Sequence, residues 1–152
     1  MKTLKLFGLT LMAILLSVNF SSCSKDDDLA GNPEKLVGEW ILIHEKYWDS
    51  EDGTDEYPYD FNTPSEDQEK LIIKQVDDYF ELTHYSYSEN REQWEYASKE
   101  NVRIEGNKVI SLDENTDYPS LDISLSGNKM TIKASYEEDG YKETMELTYQ
   151  KK

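Results

Sequence analysis

From residue 39 onward the chain alternates apolar and polar positions with a period of two, interrupted by short polar turns. Eight runs carry the pattern: 39–48 (EWILIHEKYW), 69–76 (EKLIIKQV), 79–88 (YFELTHYSYS), 92–104 (EQWEYASKENVRI), 108–112 (KVISL), 120–126 (SLDISLS), 129–138 (KMTIKASYEE) and 141–150 (YKETMELTYQ). All are rich in β-branched or aromatic residues, the composition of half-buried strands. One face of each run predicts the core: Trp40 and Leu42; Phe80 and Leu82; Ile123 and Leu125; Met130, Ile132 and Ala134; Met145, Leu147 and Tyr149. In 92–104 the period passes through Trp94, Tyr96, Val102 and Ile104, with Ser98 and Glu100 breaking the apolar face.

The connections sharpen this picture. Gly-Asn sits between runs at 106–107 and again at 127–128, which predicts type II′ hairpins. Asp-Gly at 139–140 suits type I′. Neighbouring strands should therefore run antiparallel as a meander. Eight such strands leave exposed edges that closure into a barrel removes, although a two-sheet sandwich would use the same alternation. Before the first strand, Asn32-Pro33-Glu34 marks a short helical turn, with a capping residue type, a proline at the first position and an acid near the positive end. Residues 113–119 read as an acidic loop. Residues 49–68 read as a long loop with two prolines and three aromatics, a length typical of lids and binding loops.

The first 22 residues follow a different pattern. Lys2 and Lys5 precede an apolar run from Leu6 to Val18, too short to span a bilayer, and small serines close it. This pattern reads as an export leader. The lone cysteine, Cys23, follows at once and excludes any internal disulfide. The chain thus divides into a leader (1–22), an acidic tether (23–32) and a domain (33–152).

The sequence around Cys23 resembles the lipobox of bacterial lipoproteins, with Phe20 where an aliphatic residue is usual. Ser24-Lys25-Asp26-Asp27-Asp28 is similar to the export tag of Bacteroidota surface lipoproteins. The resemblance implies acyl chains on Cys23 as the membrane contact and display on the outer membrane, facing the exterior or else the periplasm. Two or more acyl chains anchor a protein stably where one does not. "LVGEW" at 36–40 resembles the Gly-x-Trp motif that opens the first strand of lipocalin-like proteins, with Gly38 and Trp40 in structural roles. That resemblance covers roughly residues 33–150 and implies a barrel closed at one end by the Trp. The family commonly packs an arginine from near the last strand on that ring; here the basic residues available are Lys151 and Lys152.

Charge narrows the partners. The chain carries −16, and losing Lys2 and Lys5 with the leader makes the remainder more negative still. Such a body repels phosphate backbones, so nucleic acid is excluded as a partner. A cationic partner or an envelope protein docking on the acidic surface remains compatible.

Candidate chemistry is sparse. No activated cysteine, phosphate-binding glycine loop or metal-binding helix motif occurs, so the expectation is a non-enzyme without cofactor or metal. His44 and His84 each fall in phase with an inward pair. They would face one cavity, either as ligands for a metal or an acidic group or as ordinary hydrogen-bonded barrel histidines. Asp49, Glu51, Asp52, Asp55 and Glu56 cluster but lack the spacing of an EF-hand loop, which favours a solvated acidic loop. Tyr47, Trp48, Tyr57, Tyr59 and Phe61 bracket the long loop, with Tyr85, Tyr87 and Trp94 on nearby strands. Rings with an apolar face and a polar tip suit a small hydrophobic or glycan-like ligand at a barrel mouth. The expected function is ligand binding by a lipid-anchored envelope protein; the alternative is an accessory lipoprotein that contacts another envelope protein.

Overall fold

A computed structural model describes residues 29, 32–112, 121–138 and 140–152. Cys23, the leader, most of the tether and the loop 113–119 lie outside them. A four-residue 3-10 helix, Pro33–Leu36, leads into nine strands: β1 (Gly38–Asp49), β2 (Gly53–Pro58), β3 (Glu69–Val76), β4 (Tyr79–Ser88), β5 (Gln93–Glu105), β6 (Lys108–Ser111), β7 (Leu121–Ser126), β8 (Lys129–Glu138) and β9 (Tyr141–Lys151). Every pairing is antiparallel. The order is β2-β1-β3-β4-β5-β6-β7-β8-β9, and β1 also pairs with β9. That last pairing closes β1 and β3–β9 into an eight-stranded barrel of the expected class.

β2 corrects the reading of 49–68 as an unbroken loop. Its GTDEYP sequence has no buried residue and no apolar alternation, so nothing in its pattern marks a strand. It forms because β1 is long: Gly38–Ile41 pairs with β3, and His44–Asp49 pairs with β2 on the same side. Asp49 shapes the intervening turn, its carboxylate accepting from the Glu51 and Asp52 amides at 2.8 and 2.6 Å. The carboxylate therefore has a local structural role in the acidic cluster.

The two ends of the barrel differ. Three two-residue turns, Asp77-Asp78, Gly106-Asn107 and Gly127-Asn128, lie at the end that holds the helix. Gly106 and Gly127 have φ of +60° and +61°, whereas neither asparagine has positive φ, as a type II′ turn requires. Leu29, Leu36 and Trp40 plug this end, each 1% exposed. The Trp40 indole N–H donates to the Leu36 carbonyl at 2.7 Å, and the Lys151 ammonium lies 5.1 Å from the ring centroid. Lys151 also donates to the Lys35 carbonyl at 2.9 Å, tying the last strand to the helix. A Cβ on Gly38 would come within 2.8 Å of Lys151 Cε, and its φ of +144° suits only glycine. The Gly-x-Trp segment thus seats a Trp, a cation and a helix in one cluster.

Above the plug the barrel is filled by Leu42, Leu71, Ile73, Phe80, Leu82, Val102, Val109, Ile123, Leu125, Met130 and Ile132. All the inward pairs expected from the periodicity face this core or its upper margin.

Two bulges break the period, and both change which residues face inward. On β1, Leu42 pairs with Tyr149 but His44 pairs with Thr148, so Ile43 is the extra residue. On β5, Ser98 pairs with His84 but Tyr96 pairs with Tyr85, so Ala97 is the extra residue. One inserted residue sends every later side chain to the opposite face. The bulge at Ile43 leaves the Leu42 carbonyl to Gln68, a wholly buried side chain that donates to it at 2.7 Å and to the Asp60 carbonyl at 3.1 Å. Gln68 therefore pins the 59–68 segment to the bulge. Gln68→Leu should cost about 1–3 kcal/mol in urea unfolding, because it strands the buried Leu42 carbonyl and releases the bond to Asp60. A loss below half a kcal/mol would show that the bulge holds itself.

Candidate binding site at the open end of the barrel

The wall is uneven in height. β6 has four residues and pairs with β7 through only Lys108↔Asp122 and Val109↔Leu121. β5 pairs with β6 only over Val102–Glu105, and β8 with β7 only up to Lys133. Among the described residues, the upper parts of β5 (Gln93–Glu100) and β8 (Ala134–Glu138) therefore have a strand partner on one side only. The inner faces of β1, β3, β4, β5 and β9 meet at this end, which is open among the described residues.

Past the bulge at Ile43, Glu45 and Tyr47 replace His44 and Lys46 as the inward residues of β1, opposite Leu147 and Met145. Tyr59 donates from its hydroxyl to Glu45 at 3.0 Å. Glu69 continues the inward row of Leu71 and Ile73, and Glu100 that of Val102. Between them stands His84, with Nδ1 3.0 Å from Glu69 and Nε2 3.1 Å from Glu100. Tyr149 donates to the same Glu69 oxygen at 2.8 Å. The result is a polar layer of Glu45, Tyr47, Tyr59, Glu69, His84, Glu100 and Tyr149 on top of the apolar core.

Electrostatics fix its protonation. Burial disfavours charge on His84, but the hydrogen bonds and charges of Glu100 and Glu69 outweigh it and raise its pKa to about 9. Burial, then the Glu45 carboxylate, pushes Tyr47 well up and Tyr59 to about 12. Burial and Glu69 do the same to Tyr149. At neutral pH the layer holds an imidazolium and neutral phenols, and both kinds of group lie against glutamate oxygens. Both ring nitrogens of His84 are engaged by glutamates.

The sequence-derived candidates separate into three places. Tyr47, Tyr59 and His84 line the mouth, and Tyr57 stands across from Glu45 at the rim, 49% exposed. His44 and Trp48 are on the outer wall, which corrects the expectation that His44 and His84 share a cavity. His44 approaches Glu56 at 3.7 Å, and Glu56 is bonded to Lys46 at 2.8 Å. Trp48 borders a shallow outer groove of about 170 Å³ with Ser135 and Thr144. Phe61, Tyr85 and Trp94 also lie outside, as do Tyr87 and Tyr96. The bulge at Ala97 is the reason that Trp94 and Tyr96 are out of phase with Val102 and Ile104.

Sequence reasoning passed over Glu45, Glu69, Glu100 and Tyr149 as members of the site. The signal for two of them was present: Glu100 interrupts the apolar face of β5, and Glu69 extends that of β3. No protein-family model matches this chain, and no curated protein matches it.

Proposed function

We propose that this chain is a lipid-anchored cell-envelope binding module, tethered through acyl chains on Cys23 and carrying out no covalent chemistry. Its open end takes a small, half-polar, glycan-like ligand. One observation carries the reading: a barrel plugged and packed at one end presents hydrogen-bonding side chains at the other. The filled apolar layer leaves no depth for a long acyl chain, so the polar end favours the glycan-like ligand over the hydrophobic one. Donors from Tyr47 and Tyr59 and acceptors from Glu45, Glu69 and Glu100 match the hydroxyls of a sugar, and ring faces suit its C–H surfaces.

Thermal-shift screening of neutral oligosaccharides against lipids and haem tests the site. A raised melting temperature with a sugar, lost in Tyr47→Ala, is expected; no shift with any of them removes the proposal. The anchor is tested separately by intact mass. Acylation of Cys23 adds the mass of fatty chains, and an unmodified thiol in envelope-derived protein would refute the tether.

A further inference from the structure

We propose that the outer wall over β3–β5 carries a second binding site, distinct from the mouth, for an acidic sugar ring such as a uronate in a glycan chain. Strand register builds its platform. Ile41 pairs with Lys70, Lys70 with Tyr85, and Tyr85 with Tyr96, one outward row across four strands. Tyr87 and Trp94 form the next pair. The rings lock edge to face, with centroids 6.3 Å apart for Tyr85 and Tyr96 and 5.3 Å for Tyr87 and Trp94. The Lys70 ammonium lies 4.7 Å from the Tyr85 centroid and 5.1 Å from that of Trp94.

The segment after Tyr59 folds back over this wall. Ile41 faces outward yet is only 4% exposed. Together Ile41, Phe61, Asn62, Pro64, Trp94 and Lys152 line a groove of about 220 Å³. That equals roughly seven water volumes and falls below the ~300 Å³ at which pockets for drug-sized ligands begin. One six-membered ring fits; an acyl chain does not.

Charge selects the ring. Acids outnumber bases 32 to 16 in the chain, yet no lining residue of the groove is acidic. Lys152 contributes a cation steadied by Glu39 at 3.0 Å. Among the described residues Lys70 has no ion-pair partner. Burial lowers its pKa, Glu39 opposes that, and the Lys152 charge lowers it again, so an incoming carboxylate would relieve a crowded cation. The repulsion from the molecule's net charge is screened beyond ~8 Å at physiological ionic strength, which leaves the two lysines in local control. Phe61 and Trp94 line the groove as apolar surface for the ring's C–H groups, and Asn62 lines it with an amide that can meet the hydroxyls.

The test is an NMR titration of the intact 15N-labelled chain with trigalacturonate and, in parallel, with an uncharged galactose trisaccharide. The acidic trimer should shift the Trp94 indole N–H and bind at least tenfold more tightly than the neutral one. Trp94→Ala should abolish the interaction, and Lys70→Gln should erase the preference for the acid. An unmoved Trp40 indole signal in each variant reports an intact fold. Equal affinity for the two sugars, a Trp94 signal that does not respond, or a preference that survives Lys70→Gln would each overturn the proposal.

Discussion

Trp40→Ala should destabilise the domain by about 3–5 kcal/mol, the usual cost of deleting a buried tryptophan. Domains of this kind have roughly 5–15 kcal/mol in total, so the variant should be partly unfolded at physiological temperature. The effect is large because three structures meet on that ring. Its face is covered by Lys151, its N–H satisfies the Leu36 carbonyl, and its body closes the barrel against Leu29 and Leu36. Trp40→Phe separates these contributions: it keeps an aromatic plug and strands only the Leu36 carbonyl, for about 1–2 kcal/mol. Urea unfolding of both variants measures the difference. A Trp40→Ala domain within 1 kcal/mol of the parent would show that the plug is not what holds this end shut.

The second large effect concerns His84. Its pKa is about 9 in the folded chain against an ordinary 6.5. Between those values the folded state binds a proton that the unfolded state has released, so stability falls as pH rises. The contribution is complete below pH 6.5 and is lost through pH 9. The shift corresponds to at most about 3 kcal/mol. Thermal unfolding at a series of pH values should therefore show a decline from pH 6.5 to 9.5 that is largely flattened in His84→Gln. Glu69 and Glu100 are the titratable groups bonded to the ring, and Tyr149, bonded in turn to Glu69, is held neutral well beyond this window. A slope that is equal in parent and variant would mean that folding does not raise the His84 pKa.

The eight barrel strands were legible because a half-buried strand writes its own period, and Gly-Asn pairs mark where it must reverse. Trp40, Leu42, Phe80, Leu82, Met130 and Ile132 all face the core that the alternation assigns them. What escaped were the places where backbone geometry overrides the period. A bulge at Ile43 or Ala97 has no compositional mark, yet each turns all later residues over. This moved His44, Trp94 and Tyr96 outside and brought Glu45 in. β2 escaped because Asp55, Glu56 and Pro58 are poor strand formers, recruited only by the overhanging half of β1. The polar layer was hidden for a related reason: Glu69 and Glu100 obey the inward phase but break the apolar rule. Inward, part-buried carboxylates of this kind become intelligible once a cation such as His84 stands between them.

Amide hydrogen exchange of the intact chain tests most directly the claim on which the rest depends, a barrel packed at one end and open and polar at the other. Amides within 71–73, 80–82 and 130–132 should exchange only with global unfolding. Those of the exposed strand 53–58, and those of 93–99 that point away from β4, should exchange orders of magnitude faster. Equal protection along the full height of β5 and β8 would mean a barrel sealed at both ends, and would leave no mouth for a ligand to enter.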